Sequence, residues 1–315
     1  MNLTLRSLSS TVRRPKIYFE AWGIVSMPIA RTTFAHIAYE EHGAADHRPI
    51  ILLHGFPDSF RTWDGVIDEL KGEPLRFIVP HLRGFAGTHV DDPDALSGQT
   101  AALAQDVLDL ADGLALDRFV LVGHDWGART AYSVAVLAPQ RLQGFVTLST
   151  PYVMFAGKRE SPEQIRAYWY QWYFNTERGR QAFEDAPIPF CEYLWPAWSP
   201  RWKFTSAEME TAKFAWSNPQ FAPFVISYYR HRYGNAPGAR AYVRQQSQLD
   251  SMPNVEVPLL FGCGLADAAN LPVSSLGQER WFPQGFQRIE FPHVGHFPQR
   301  ESPGDVAQLI RRALP

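Results

Sequence analysis

The 315-residue chain has little cysteine, almost no charge imbalance and no long apolar run, and each absence excludes a class of protein. Its only cysteines are Cys191 and Cys263, without a Cys-x-x-Cys or His/Cys cluster, so neither a disulfide framework nor a structural zinc site is predicted. A net charge of −2 provides no general attraction to nucleic acids or acidic membranes. No stretch reaches the roughly 18 apolar residues of a membrane-spanning helix. We therefore expect a globular, cytoplasmic protein, monomeric or homodimeric, without a nucleic-acid partner.

The N-terminal residues differ in composition from the rest of the chain. From Met1 to Lys16 they include arginines, serines and threonines but no acid, as in a transit peptide, and they lack the apolar region of a secretory signal. The simpler interpretation is a tail ahead of a domain that begins near Met27, because chain termini are commonly disordered. We expect residues 1–30 to be a disordered extension, with a targeting segment as the alternative.

From Arg31 onward, short apolar runs alternate with longer amphipathic ones. The predicted strands are Thr33–His42, Pro49–His54, Arg76–Pro80, Arg118–Gly123, Leu142–Leu148 and Val257–Phe261. The predicted helices are Arg61–Lys71, Gly98–Leu114, Gly127–Ala138 and Ser302–Leu314. Strands that are apolar throughout and alternate with helices are typical of an α/β fold, in which helices cover both faces of a mostly parallel sheet.

The segment 152–250 interrupts this alternation. It is rich in tryptophan and tyrosine and poor in β-branched apolar runs, and Gln164–Asn175 and Ala207–Trp216 have helical patterns. We predict a helical cap over 152–250, inserted into a core formed by 31–151 and 251–315. The aromatic side chains either pack with one another or line a pocket for a small apolar or aromatic substrate.

One segment carries most of the functional signal. A buried strand leads into Gly123-His-Asp-Trp-Gly127 and then directly into a helix, which is the pattern of the nucleophile elbow G-x-S-x-G with aspartate in place of serine. The glycines allow a strained turn, and the helix N-terminus favours a carboxylate. Asp125 is therefore the candidate nucleophile. The alternative is an ordinary N-cap aspartate.

Further segments fall where such a fold requires them. His54-Gly-Phe-Pro57 follows a buried strand, so the N–H groups of Phe56 and Trp126 are predicted to form an oxyanion hole. Asp267 follows another buried strand and is the predicted orienting acid, with Asp250 as its rival. His296, in a loop near the C-terminus, is the predicted base. His293 is the competing histidine. The order of nucleophile, acid and histidine is that of an α/β-hydrolase fold.

Aspartate at the elbow changes the reaction that a serine would perform. A carboxylate that attacked a carbonyl would form a high-energy anhydride, whereas at saturated carbon it displaces an alkoxide or halide and leaves an alkyl ester. Water activated by His296 would then hydrolyse the ester. This chemistry needs no metal and no organic cofactor, and we predict none.

From Arg31 to the end, the chain resembles the α/β-hydrolase-fold epoxide hydrolases and their dehalogenase relatives. The matching residues are His54-Gly-Phe-Pro57, Gly123-His-Asp-Trp-Gly127, Asp267 and His296. The resemblance implies two cap tyrosines that bind and protonate the epoxide oxygen. The run Tyr170-Gln-Trp-Tyr-Phe174 points to Tyr170 as one of them, and Tyr228-Tyr-Arg230 points to Tyr229 as the other. Packing is the alternative role for both.

The same residues leave two other functions open. Haloalkane dehalogenases have asparagine where Phe56 stands, and haloacetate dehalogenases have arginine both where Trp126 stands and at the position of Arg129. The aromatic run 168–174 also resembles a segment of the haloacid branch, and Trp172, Tyr173 and Arg129 are the predicted substrate-binding residues. A dehalogenase is therefore the alternative enzyme. A receptor without turnover is a third possibility, although it has no need of a complete triad.

Overall fold

The computed structural model describes residues 27–92 and 95–315. Most of the predicted N-terminal extension lies outside this range. The strands are β1 (Ile29–Arg31), β2 (His36–His42), β3 (Arg48–Leu53), β4 (Leu75–Pro80), β5 (Phe119–His124), β6 (Leu142–Leu148), β7 (Leu259–Gly264) and β8 (Phe286–Phe291). Two residues expected in the extension, Ile29 and Ala30, instead belong to β1, because Ile29 is buried against the rest of the fold.

The helices between and after the strands are short to medium in length. They are α1 (Asp64–Glu69), α2 (Thr100–Gly113), α3 (Trp126–Leu137), α4 (Pro162–Ala167), α5 (Trp169–Phe174), α6 (Glu177–Asp185), α7 (Pro187–Trp198), α8 (Ser206–Trp216), α9 (Phe221–Arg232), α10 (Val243–Asp250), α11 (Pro298–Glu301) and α12 (Pro303–Ala313). Short 3-10 turns include Phe60–Trp63, Pro139–Arg141, Met154–Gly157, Arg240–Tyr242, Pro272–Ser275 and Glu279–Trp281. In the part of the chain that the structure describes, no helix is long and apolar enough to cross a membrane.

The described strands form one eight-stranded sheet in the order β1-β2-β4-β3-β5-β6-β7-β8. The pairs β1–β2 and β2–β4 are antiparallel, and all later pairs are parallel. The central strands β3 and β5 are almost wholly buried, which explains their continuous apolar sequences. Helix α3 packs on β5 and against α2, whereas α12 packs on β6 and against α1. The α/β fold class predicted from the alternation of strands and helices is confirmed.

The strand order determines where a site can form. The chain runs from β3 outward to β4 on one side and then returns to β5 on the other side of β3. In open α/β sheets, ligands bind at such a reversal, beyond the carboxyl ends of the strands. Because β3 to β8 are parallel, the segments that follow β3, β5, β6, β7 and β8 all leave the sheet at this one edge.

Between β6 and β7 the chain is helical, with seven helices from α4 to α10. We call α4–α10 the inserted helices; the boundaries of a cap at 152 and 250 remain a prediction. One predicted helix, Gln164–Asn175, is divided into α4 and α5 at Tyr168, whose ψ of 14° departs from helical geometry. The hydroxyl of Tyr168 donates a hydrogen bond to Asn270, after β7, and this contact with a remote segment is absent from any local sequence pattern.

Candidate active site

Asp125 occupies the turn between β5 and α3 in a strained conformation. Its φ is 50° and its ψ is −112°, a region that L-residues rarely adopt. The flanking glycines are required by close backbone contacts. A Cβ at Gly123 would lie 2.3 Å from the carbonyl oxygen of Gly127, and a Cβ at Gly127 would lie 2.3 Å from that of Leu53. The turn therefore holds a single side chain at the edge of the sheet.

The two carboxylate oxygens of Asp125 have different surroundings. Oδ1 accepts a hydrogen bond of 3.0 Å from the N–H of Phe56, which follows the neighbouring strand β3. Oδ2 lies 3.5 Å from the hydroxyl of Thr150 and 3.8 Å from Nε2 of His296. The side chain is nearly buried, with 6% of the residue exposed. One oxygen is thus bound by a backbone donor, while the other faces a histidine.

His296 and Asp267 form a buried pair beside Asp125. Nδ1 of His296 donates to Asp267 Oδ2 at 2.9 Å, and Asp267 Oδ1 accepts from the N–H groups of Ala269 and Asn270. Nε2 of His296 is buried without a hydrogen-bond partner in the described structure. Burial lowers the pKa of His296, but the Asp267 charge and hydrogen bond, helped by Asp125, outweigh it, so that the pKa is raised above its ordinary value. The ring is therefore oriented with its free nitrogen toward Asp125.

The backbone of His296 is held by several side chains that the sequence did not indicate. Its N–H donates to Ser199 Oγ at 2.7 Å, and that hydroxyl donates to Glu301. Its carbonyl oxygen accepts from His124 Nε2 at 2.7 Å and from Ser149 Oγ at 2.8 Å. Burial, followed by the nearby His296, lowers the pKa of His124 to about 4, which keeps this histidine neutral. These contacts fix the position of the imidazole.

The two rival residues lie elsewhere. Asp250 is exposed on α10 and accepts a hydrogen bond from Gln246. His293 is exposed and interacts with Arg201. Of the two candidate acids and two candidate histidines, the structure brings Asp267 and His296 to Asp125.

Tyr170 on α5 and Tyr229 on α9 meet above the elbow. Their hydroxyl oxygens are 3.5 Å apart, and Tyr170 also accepts a hydrogen bond from Gln171 Nε2 at 2.8 Å. Both tyrosines are buried. Burial is the main cause that raises the pKa of both phenols well above 10, and the charge of Asp125 raises it further. Both groups are thus kept as neutral O–H donors near a carboxylate.

Aromatic rings enclose these polar groups. The Phe56 ring contacts the rings of Tyr170, Phe174, Phe183, Trp198, Phe221 and Tyr229. The Trp126 ring stacks on Tyr228 and meets Tyr229 edge-on. Such surroundings exclude water and strengthen the electrostatic interactions of the groups inside.

Thr150, Asn270 and Tyr168 form a hydrogen-bonded chain that ends at Asp125. Tyr168 donates to Asn270 Oδ1, Asn270 Nδ2 donates to Thr150 Oγ1 at 2.9 Å, and Thr150 lies against Asp125 Oδ2. Sequence reasoning missed all three residues. Thr150 follows a correctly predicted strand, β6, so the rule that parallel strands end at one edge could have indicated it.

Two predicted substrate-binding residues lie away from this cluster. Trp172 is 37% exposed, contacts the ring of Tyr233 at a tilted angle and donates its indole N–H to the carbonyl oxygen of Ile165. Tyr173 is half-buried, and the centroid of its ring lies 6.4 Å from that of the Trp169 ring. For Trp172 the reason is helical geometry, since α5 directs Tyr170 and Phe174 inward and therefore places the residue two positions after Tyr170 on another face.

Arg129, the third of them, lines a cavity of about 250 Å³ on the other side of Trp126. Its guanidinium lies 5.6 Å from the centroid of the Trp126 ring. Arg232 lines the same cavity, and its Nε is buried without a hydrogen-bond partner. Within the described part of the chain, neither arginine forms an ion pair. Burial, then the charge of Arg232, lowers the pKa of Arg129.

This arrangement of elbow, acid and histidine on a mostly parallel sheet defines a class of protein. Residues 48–303 match the family described as alpha/beta hydrolase fold. The chain belongs to this family, which agrees with the fold predicted from its sequence.

The similarity extends to particular relatives. An epoxide hydrolase of Caballeronia sordidicola is 26% identical over 303 residues, covering 89% of this chain and 90% of the relative. A fluoroacetate dehalogenase of a Burkholderia species is 28% identical over 279 residues, covering 84% and 86%. The crystal structure of a Klebsiella pneumoniae subsp. pneumoniae protein, provisionally described as an epoxide hydrolase, has a TM-score of 0.86 at 32% identity and covers 91% of this chain and 96% of that one. The resemblance inferred from the sequence motifs is confirmed.

Proposed function

We propose that the protein is an epoxide hydrolase that forms an ester between its substrate and Asp125. The observation that carries this proposal is the pair of neutral phenols, Tyr170 and Tyr229, whose hydroxyls lie 3.5 Å apart above a carboxylate nucleophile. An epoxide oxygen needs a hydrogen-bond donor and a proton as its ring opens, whereas a departing halide needs no proton. The similarity to the Caballeronia epoxide hydrolase over most of both chains supports the same function.

In the first step, Oδ2 of Asp125 attacks an epoxide carbon. The carbon–oxygen bond of the ring breaks, and the ring oxygen takes a proton from Tyr170 or Tyr229. The product is a hydroxyalkyl ester of Asp125 together with a phenolate. Oδ1 is bound by the Phe56 N–H, whereas Oδ2 has only the longer contact with the Thr150 hydroxyl, so Oδ2 is the oxygen that attacks.

In the second step, water gives a proton to Nε2 of His296 and attacks the ester carbonyl. The negative charge develops on Oδ1, where the Phe56 N–H already donates and the Trp126 N–H, at the start of α3, is the second proposed donor. Collapse breaks the bond between Cγ and Oδ2 of Asp125. Oδ2 leaves with the substrate carbon, takes the proton of the new carboxyl group and becomes one hydroxyl of a vicinal diol, while the oxygen of the water stays in the regenerated carboxylate. The proton on His296 then returns to the phenolate through solvent, so that the cycle closes.

A dehalogenase that acts on haloacids is the second candidate, and one observation favours it. Arg129 and Arg232 line a cavity beside Trp126 without an ion-pair partner in the described chain, and buried cations are normally paired. A substrate carboxylate would supply that charge. Asp250, which also lines the cavity, offsets part of the positive charge. The similarity to the Burkholderia relative, a fluoroacetate dehalogenase, is consistent with this candidate.

The two functions are separated by matched substrates and tyrosine variants. We expect the wild-type protein to convert styrene oxide to its diol and to release no chloride from 2-phenylethyl chloride or chloroacetate above the uncatalysed rate. Tyr170→Phe and Tyr229→Phe each remove one of two donors, so each should lower diol formation by about 10- to 100-fold. Diol is measured by chromatography and chloride by ion analysis.

The control is Tyr173→Phe, which changes a half-buried tyrosine on the same helix whose ring lies beside that of Trp169. It should retain wild-type turnover. Chloride release from chloroacetate without any diol formation would transfer the function to the second candidate, and unchanged epoxide turnover in both tyrosine variants would remove the phenols from the mechanism.

Asp267 should determine the pH at which turnover begins to fall on the acid side, because it raises the pKa of His296. The base form of His296 is neutral, and its pKa is raised above 6.5, so activity should fall as the pH decreases through that raised value. In the ester, Asp125 carries no charge, which leaves Asp267 as the main cause that raises the pKa. Asp267→Asn should therefore move the acid limb of kcat to lower pH and reduce kcat by about 10²- to 10⁴-fold.

The matched control for this change is Asp250→Asn, which neutralises an exposed aspartate remote from His296. Its profile should coincide with that of the wild type. An acid limb that stays in place in Asp267→Asn would contradict the assignment of the limb to His296.

A further inference from the structure

Two histidines from remote parts of the chain lie side by side at the edge of the sheet. His36, the first residue of β2, and His89 exchange backbone hydrogen bonds of 2.9 Å and 3.1 Å. Residues paired in this way are directly opposite, so their side chains lie on the same face. The two imidazole rings are stacked, with centroids 4.6 Å apart and planes at 10°.

Asp91 completes the group. It lies two residues beyond His89, and in extended chain this spacing returns to the same face. Its carboxylate oxygens are 2.9 Å from His36 Nε2 and 3.5 Å from His89 Nε2. One ligand atom from each residue lies within 4.8 Å of the others. All three side chains are partly exposed to solvent, so an ion has access to them.

The contacts of the two ring nitrogens of His89 indicate a place for a cation between His89 and Asp91. Nδ1 of His89 is 3.4 Å from the carbonyl oxygen of Gly87, which can only accept, so this contact favours the tautomer with the ring proton on Nδ1. In the neutral ring, Nε2 then presents a lone pair toward the carboxylate of Asp91. Two acceptors that face each other at 3.5 Å repel unless a positive charge lies between them. A backbone carbonyl that fixes the tautomer is also the usual arrangement around metal-binding histidines.

We propose that His36, His89 and Asp91 bind a Zn²⁺ ion through the two Nε2 atoms and the carboxylate. Two imidazoles and a carboxylate are preferred zinc ligands, at about 2.0–2.2 Å, and tetrahedral coordination leaves the fourth position to water. Only small movements of half-exposed side chains are needed for the three atoms to converge. The ion would link the start of β2 to the loop that follows β4.

This site belongs to no sequence motif, because residues 36 and 89 become neighbours only when β2 pairs with the chain beyond β4. A search for closely spaced ligands therefore predicts no zinc site. The proposed zinc site is independent of Asp125 and of the proposed hydrolysis, so its test needs no substrate.

The test is calorimetric titration of the chelator-treated full chain with ZnCl₂. We expect one strongly bound equivalent in the wild type. His89→Gln and Asp91→Asn each remove a ligand and should weaken binding, by at least about 10-fold, since even outer partners of such sites contribute 10- to 100-fold. Asp91 is 72% exposed, so Asp91→Asn leaves the fold intact. Visible absorption of the Co²⁺ form should show the bands of four-coordination.

The control is His42→Gln, which changes another partly exposed histidine of β2. His42 lies 3.5 Å from Glu40. The His42→Gln variant should bind zinc with the same affinity as the wild type. Absence of a tight equivalent in the wild type, or equal affinity in the wild type and both ligand variants, would overturn the proposal.

Discussion

His296→Gln is expected to stop turnover while it still allows Asp125 to react with substrate. Alkylation requires the carboxylate and the phenols, whereas hydrolysis of the ester requires a base on water, and glutamine supplies none. Steady-state turnover should fall by about 10³-fold or more, given the usual contribution of a general base and its orienting acid. The ester should accumulate on the protein.

The accumulated ester identifies the substrate class by its mass. An epoxide opens without loss of atoms, so the intact protein should gain the full mass of the substrate. An alkyl halide would add its mass less that of the hydrogen halide. Peptide mapping should place the modification on Asp125.

His293→Gln provides the matched control, because His293 is three residues away, exposed, and in contact with Arg201 instead of Asp125 and Asp267. It should turn over normally and accumulate no ester. A His296→Gln protein that hydrolyses epoxides at the wild-type rate would remove this histidine from the mechanism. An adduct that lacks the mass of the hydrogen halide would support the same covalent mechanism but would show that the substrate is an alkyl halide.

Asp125→Asn is expected to abolish turnover, with a loss of at least about 10⁴-fold, because the covalent route no longer has a nucleophile. The amide oxygen can still accept from the Phe56 N–H, so the strained turn retains its hydrogen bond. The variant should therefore remain folded and bind substrate without forming an adduct. Initial rates, thermal unfolding and intact mass measure these three properties.

The asparagine variant also separates two mechanisms. If water attacked the epoxide directly with His296 as base, Asp125 would act only through its charge, and a substantial rate should survive its replacement. Thr150→Val is a useful comparison, since it removes the hydroxyl that lies 3.5 Å from Oδ2 of Asp125 but keeps the carboxylate nucleophile. Retained turnover in Asp125→Asn, without an adduct, would contradict the ester intermediate.

Several features of the protein follow from local sequence alone. The apolar runs predict buried strands, and β6 has the predicted bounds, Leu142–Leu148. The glycines around Asp125 predict a strained turn, and the φ of 50° in the structure agrees with it. These predictions succeed because they depend on contacts between residues close in the chain, such as that between Gly123 and Gly127.

Other features required the arrangement of remote segments. The local patterns at Asp250 and His293 are compatible with a catalytic role, and only the sheet order brings Asp267 and His296, after β7 and β8, to the residue that follows β5. The outward position of Trp172 depends on the orientation of α5. The break at Tyr168 depends on its contact with Asn270.

The sequence by itself therefore determined the fold class and the strained turn that holds Asp125, because the period of the strands and the glycines of one turn are local properties. The tertiary structure decided which of the predicted residues come together around Asp125: Asp267, His296, Tyr170 and Tyr229 do, whereas Asp250, His293 and Trp172 do not. It also paired His36 with His89, residues that no short spacing connects. The physical reason is that strands and loops from remote parts of the chain meet at one edge of the sheet, and the order of the strands is determined by packing across the whole domain.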